Sequence, residues 1–243
     1  MRNFVRLIRD KIFGIEKLSF LLKSQTNKQI QLADYNKREL KAFEILKPYF
    51  PEGYLLETSY SLSFQAIQHI LNDILIYKPR FILEFGSGLS TIVIGNFIKS
   101  NDMNIKLISI DDDLSWQEFL KEMGAIADFY NFPLIDNHPH SYNGKGKWFE
   151  IPDDHLISEF KFDLVIVDAP KGALGKFSRY GFIGFVRNRL SDQTIIYLDD
   201  THRPDENKIG QCFLSEIGVP MIHEKYFNYS RFSSNQSFNT SPS

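Results

Sequence analysis

The chain has 243 residues, a formal net charge of -2, and 43% hydrophobic against 24% charged residues, the profile of a globular protein long enough for one sizeable core. That charge gives no overall basic field for a polyanion, so nucleic acid is not an expected partner. A single cysteine, Cys212, excludes an internal disulfide and, with no cleavable leader pattern, predicts a reducing, cytoplasmic setting; no apolar run nears the roughly 20 residues that cross a bilayer.

In chain order, Phe4, Ile8, Ile12, Ile15, Leu18 and Leu22 recur three or four apart, with Arg2, Arg6, Arg9, Lys11, Lys17 and Lys23 elsewhere on the wheel. This predicts a basic amphipathic helix over the first 24 residues. It either packs on its own domain or docks on an anionic membrane surface or a partner. The polar stretch 24–36, "SQTNKQIQLADYN", reads as a connector to a second helix at 37–47, ended by Pro48 and Pro51. Residues 63–77 carry a third helix with an Ile67, Ile70, Leu71, Ile74, Leu75 stripe. The expected organisation is a helical extension over 1–60, a core domain over 61–232, and a disordered Ser/Asn-rich tail over 233–243.

From residue 80 onward, short apolar runs at 81–85, 105–110, 133–135, 162–167 and 194–198 alternate with helical patterns. That alternation predicts a doubly wound α/β sheet, mostly parallel. Runs at 219–226 and 229–233 are too close for a crossover helix, so they should form an antiparallel hairpin at one sheet edge.

The first strand ends in "EFGSGLST", where two glycines bring backbone N–H groups and a helix start to the sheet edge. A phosphate-binding loop of the Gly-Lys-Ser/Thr type is excluded, because no cation follows until Lys99. A nicotinamide dinucleotide is the rival ligand. It is favoured by the acid Asp111 at the end of the second strand and disfavoured by Thr91, where glycine or alanine is wanted. Glu84 points the other way: a carboxylate there suits a cofactor carrying positive charge, such as the ammonium and sulfonium of S-adenosylmethionine, better than a pyrophosphate.

The segment Glu84-Phe85-Gly86-Ser87-Gly88, followed by "LISID", resembles the first two motifs of class I S-adenosylmethionine-dependent methyltransferases, over about residues 60–232. The resemblance implies a Rossmann-like, seven-stranded sheet with a C-terminal antiparallel hairpin strand. It also implies that Gly86 and Gly88 approach the methionine and ribose of the cofactor and that Asp111 accepts from the ribose hydroxyls. The candidate cofactor set is then Glu84, Gly86, Ser87, Gly88, Ser90, Asp111 and Asp168, with Asp168 also a candidate catalytic residue; Ser90 stands where a third glycine is often found.

Two further strand ends release acids, Asp168 in "VDAPKG" and Asp199-Asp200 in "LDDTHRP". The methyltransferase resemblance implies that these strands lie side by side next to the glycine-bearing strand. Oxygen donors of this kind suit magnesium or another hard divalent cation, the alternative being that the acids cap neighbouring helices or bind the cofactor amine through water, with no metal. The pattern resembles cation-dependent O-methyltransferases, although an Asp-Asp pair replaces their Asp-Asn. That resemblance makes Lys171, three residues beyond Asp168, the general base. His202 is its rival. Arg179 and Arg203 are candidates for orienting an anionic group on the acceptor. Trp148, in the long stretch 136–152, is a candidate to stack on adenine or substrate.

The reading reached is an S-adenosylmethionine-dependent methyltransferase, directed at a hydroxyl of a small molecule or sugar. Its rivals are a NAD-dependent oxidoreductase and a non-catalytic membrane-peripheral or scaffold protein with a methyltransferase-like domain.

Overall fold

A computed structural model of the chain describes residues 9–11, 14–235 and 237–243. It divides into two compact units, 1–41 and 42–243. Phe4, Ile8 and Ile12 of the expected N-terminal apolar face lie outside the described residues. Helix α1, Ile15–Leu46, runs unbroken through the segment expected to be a connector. Residues 24–36 contain neither glycine nor proline, so nothing in them stops a helix. Their polarity marks a solvated helix and not a loop. The helix ends as expected where Pro48 enters a 3-10 turn, Lys47–Tyr49. No helix among the described residues is long and apolar enough to cross a membrane.

In the larger unit, α2 (Phe64–Tyr77) starts on the Ser63 side chain, which accepts from the Ala66 amide, and ends at Lys78 in the left-handed region. The sheet strands are β1 (Phe81–Phe85), β2 (Lys106–Asp111), β3 (Asp128–Asn131), β6 (Phe162–Val167), β7 (Leu190–Asp199), β8 (Ile222–Lys225) and β9 (Tyr229–Ser233), with β4 (Leu134–Asp136) and β5 (Lys147–Phe149) forming a small antiparallel pair of their own. The main sheet has seven strands in the order β3-β2-β1-β6-β7-β9-β8. Strands β3, β2, β1, β6 and β7 are parallel, while β9 runs antiparallel between β7 and β8. This is the expected doubly wound sheet with its C-terminal hairpin. The expected strand at 133–135 belongs instead to the side pair. The third parallel strand is the sequence Asp-Phe-Tyr-Asn, an edge strand too polar to register as an apolar run.

Helices α3 (Leu89–Ser100), α4 (Leu114–Glu122), α5 (Gly181–Val186) and α6 (Pro204–Glu216) complete the layers. Strand alternation builds two cores. Leu83, Phe85, Ile110, Val165, Val167, Ile196 and Leu198 pack with Trp148, Phe149, Phe182 and Phe213. Ile82, Leu107, Leu164, Ile166 and Ile195 pack with Ile67, Ile70, Ile74 and Val93. A buried ionic cluster links α2 to the hairpin: Arg231 Nε donates to Asp73 at 2.7 Å, and Tyr197 donates to the same oxygen at 2.6 Å. Residues 237–243, read from sequence as a disordered tail, include Thr240, whose hydroxyl lies 2.9 Å from His69 Nε2 and whose carbonyl accepts from Asn72 at 2.8 Å.

Candidate functional site

The C-terminal ends of β1, β2, β6 and β7 form one edge of the sheet, where open α/β sheets bind their ligands. At the end of β1 the chain turns at Gly86, whose φ of +102° belongs to glycine. A Cβ there would stand 3.1 Å from Ala169 Cβ and 3.2 Å from its backbone nitrogen, so the turn is pressed against the end of β6. At Gly88 a Cβ would meet nothing within 4 Å. The turn is therefore closed toward β6 and open at its second glycine.

Its backbone donors are used within the protein. Gly86 N donates to Ile110 O at 2.8 Å, Ser87 N to Asp111 Oδ2 at 2.8 Å, and Gly88 N to Thr91 Oγ1 at 2.9 Å. Three N–H groups that a phosphate would require are thus occupied. Asp111 also accepts from Asp113 N at 2.9 Å through Oδ1. A carboxylate offers about four lone-pair sites, so Asp111 retains capacity for a hydroxyl. Burial raises its pKa, opposed by these backbone bonds.

Glu84 and Ser90, expected on the cofactor, face inward. Glu84 is fully buried and accepts from Ser90 at 2.6 Å, from Ser109 at 2.7 Å and from Thr91. Burial pushes its pKa up to about 7 against the pull of these hydroxyls. It ties β1 and β2 to the start of α3, while Thr91 carries the bond on to Gly88. Ser87 is equally enclosed: its carbonyl accepts from Trp116 Nε1 at 2.7 Å and its hydroxyl lies 2.9 Å from Ser109 Oγ. Ser109 and Trp116 carry no sequence signal of their own, and from sequence Thr91 counts only against a dinucleotide. The hydroxyl pattern around a strand-end acid was the signal available.

Asp168 leaves β6 and Asp199 leaves β7, and one ligand oxygen from each of Asp168, Asp199 and Asp200 lies within 4.8 Å of the others. Consecutive strand residues point to opposite faces; Asp200 adopts φ +60°, a left-handed conformation Asp tolerates, and this break lets both acids join one cluster. Arg179, 3% exposed, enters from the 3-10 turn Ser178–Tyr180. Its Nη2 donates to Asp168 Oδ1 at 2.9 Å and to Asp200 Oδ2 at 3.0 Å, and its Nε to Pro170 O at 3.4 Å. Arg203 Nη1 lies 2.8 Å from the same Asp200 oxygen. Of the five buried side-chain polar atoms without a hydrogen-bond partner among the described residues, two lie in this cluster, Arg179 Nη1 and Asp199 Oδ1; the others are on Gln68, Tyr77 and Trp148.

Burial and the neighbouring Asp199 drive the Asp168 pKa well up, favouring its protonated form. Burial raises Asp199 to about 6, with Arg179 opposing. Burial disfavours the Arg179 charge, but the three carboxylates overcome it and its pKa is raised. The cluster does not fit a divalent ion as it stands, because a guanidinium already holds two of the three carboxylates. A dication would have to compete with that guanidinium for the same carboxylate oxygens and would be repelled by its charge.

Lys171 and His202 are exposed on the two flanking loops, and Lys171 Nζ lies 5.2 Å from the Tyr60 ring centroid. Trp148, expected at a substrate surface, is fully buried on β5 between Phe85 and Phe149. Its ring lies across Gly181, where a Cβ would stand 2.2 Å from Cδ2. It is a core side chain because the stretch 136–152 is held to the core by β4 and β5 and does not form a free lid.

No protein-family model matches the sequence, and no curated protein matches it. Among solved structures, an O-methyltransferase from Bacillus cereus in complex with SAH matches with a TM-score of 0.50 at 12% identity, over 81% of this chain and 90% of that one. An SAH-bound methyltransferase from Podospora anserina matches with a TM-score of 0.46 at 17% identity, over 80% of this chain and 86% of that one. The O-methyltransferase TomG from Streptomyces achromogenes, in complex with SAM, matches with 0.46 at 16% identity, over 72% and 81%. The fold of this chain is that of the class I S-adenosylmethionine-dependent methyltransferases.

Proposed function

We propose that the chain is an S-adenosylmethionine-dependent methyltransferase acting on a hydroxyl of a small-molecule or sugar acceptor. The observation that carries this reading is the glycine turn. Its three successive N–H groups are used internally, acids flank it, and its second glycine is open. Such a turn has little to offer a pyrophosphate, which tells against a nicotinamide dinucleotide. It suits a cofactor whose ribose hydroxyls donate to Asp111 and whose charge is positive. The solved O-methyltransferase of this fold from Bacillus cereus holds SAH, which supports the same cofactor here.

Bound there, S-adenosylmethionine supplies a sulfonium methyl group, whose bond to the acceptor oxygen forms as the carbon–sulfur bond breaks and leaves its electron pair on sulfur. The protein's part is to hold that oxygen and take its proton. Arg179 Nη1 is an unused donor and Asp199 Oδ1 an unused acceptor. A hydroxyl complements both, accepting from the first and donating to the second. Asp199, raised to about 6 by burial, is a competent proton acceptor near neutral pH. Lys171 and His202, on the exposed rim, then serve at most to admit or orient the acceptor.

The test is methyl transfer from labelled S-adenosylmethionine to a panel of hydroxyl compounds. Asp199→Asn should lower kcat by about a hundredfold or more, with Lys171→Met and His202→Gln each costing less than about tenfold. Loss of transfer in Lys171→Met with Asp199→Asn unaffected would move the proton to Lys171.

A further inference from the structure

Where the sequence resembles cation-dependent O-methyltransferases, three acids stand at strand ends, and in this chain an arginine stands among them. Arg179 is held through two of its three nitrogens. Its Nε reaches Pro170 O, its Nη2 bridges Asp168 and Asp200, and Trp148 lies against the following Gly181. Arg203 neutralises Asp200 from the solvent side. A buried orphan donor in a native fold requires an account, and a bound water or ligand is one. Nη1 is such an orphan, on a residue 97% buried by its 3% exposure, and Asp199 Oδ1 is its acidic counterpart.

We propose that the guanidinium of Arg179 stands where a divalent cation would otherwise be held, so that methyl transfer at this site needs no metal ion. Its functional meaning rests on the methyltransferase reading above, whereas the ionic arrangement does not. The guanidinium supplies the positive charge and, through Nη1, one directed N–H toward the acceptor oxygen, in place of an open coordination position. Unlike an ion it is part of the chain, so it cannot be lost to a chelator.

Electron paramagnetic resonance of aqueous Mn2+, titrated into the full-length protein, reads ion binding without any acceptor. The wild-type chain should leave the free-ion signal undiminished beyond what Asp199→Asn also leaves. Arg179→Met should remove one equivalent of Mn2+ per chain from that signal, and Arg179→Met with Asp199→Asn should restore it. One equivalent bound by wild type and lost in Asp199→Asn would overturn the proposal. So would a folded Arg179→Met chain, verified by circular dichroism, that binds no Mn2+. If Arg179→Met does not fold, Arg179→Gln, which keeps a donor for Asp168, is held to the same outcomes. Calorimetry with S-adenosylmethionine on the same wild-type protein separates the two readings: no binding there sinks the methyltransferase reading and leaves the Mn2+ result standing.

Discussion

Glu84 shows how far a residue's role can be read from its position. Its place two residues before the first glycine was legible, and so was the need to account for a carboxylate there. Its direction was not, because that depends on α3 closing over it. Alternation along β1 puts Glu84 on the Ile82 face, under Ser90, Thr91 and Ser109. Its carboxylate organises the turn from beneath through these three hydroxyls. Thr91, which from sequence only weakened the dinucleotide alternative, proves to accept from Gly88 N. A pH prediction follows for Glu84. Below about pH 4.5 the carboxyl is protonated in folded and unfolded chains alike. Between 4.5 and about 7 only the folded chain holds the proton, so this contribution to stability falls as pH rises through the window. Glu84→Gln removes that term. Thermal melts of the two proteins from pH 4.5 to 8 should show the wild-type advantage shrinking by a few kcal/mol, and a pH-independent difference would contradict the burial of an ionisable Glu84.

At the scale of elements, the sequence patterns that succeeded were those where one core dictates the spacing. Residues 81–85 and 162–167 are buried on both faces and read as apolar runs. The hairpin of β8 and β9 followed from the shortness of its connection. Asp128–Asn131 does not register as an apolar run because an edge strand is half solvated, and α1 reads as two helices because its solvated middle has the polarity of a connector. Trp148 was misplaced for a related reason: its partner strand β4 is three residues long and carries little signal. The two glycines at 88 and 181 separate site from scaffold experimentally. Gly88 has extended backbone, φ -170°, and open space around a Cβ. Gly88→Ala should change stability by less than about 0.5 kcal/mol and weaken S-adenosylmethionine binding by about tenfold or more. Gly181→Ala would drive a methyl group into Trp148 and should cost about 1–3 kcal/mol, read as a lowered Tm. Equal stability losses in the two variants would contradict this division.

Across the whole molecule, the sheet order brings together groups that are far apart in sequence. Glu84, Asp111, Asp168 and Asp199 come from four strands whose C-terminal ends share one edge. That convergence was available from the sequence only through the family resemblance, since nothing in spacing alone makes β6 a neighbour of β1. The entry of Arg179 into the acid cluster was not available at all: it depends on a short turn between β6 and α5 directing one side chain inward. The same edge carries the central claim, that the glycine turn and Asp111 hold S-adenosylmethionine. Isothermal titration calorimetry of the full-length chain tests it most directly. The account predicts one S-adenosylmethionine per chain, no comparable heat from NADH, and a loss of affinity of about tenfold or more in Asp111→Ala. Binding of NADH in place of S-adenosylmethionine, or S-adenosylmethionine binding indifferent to Asp111→Ala, would contradict it.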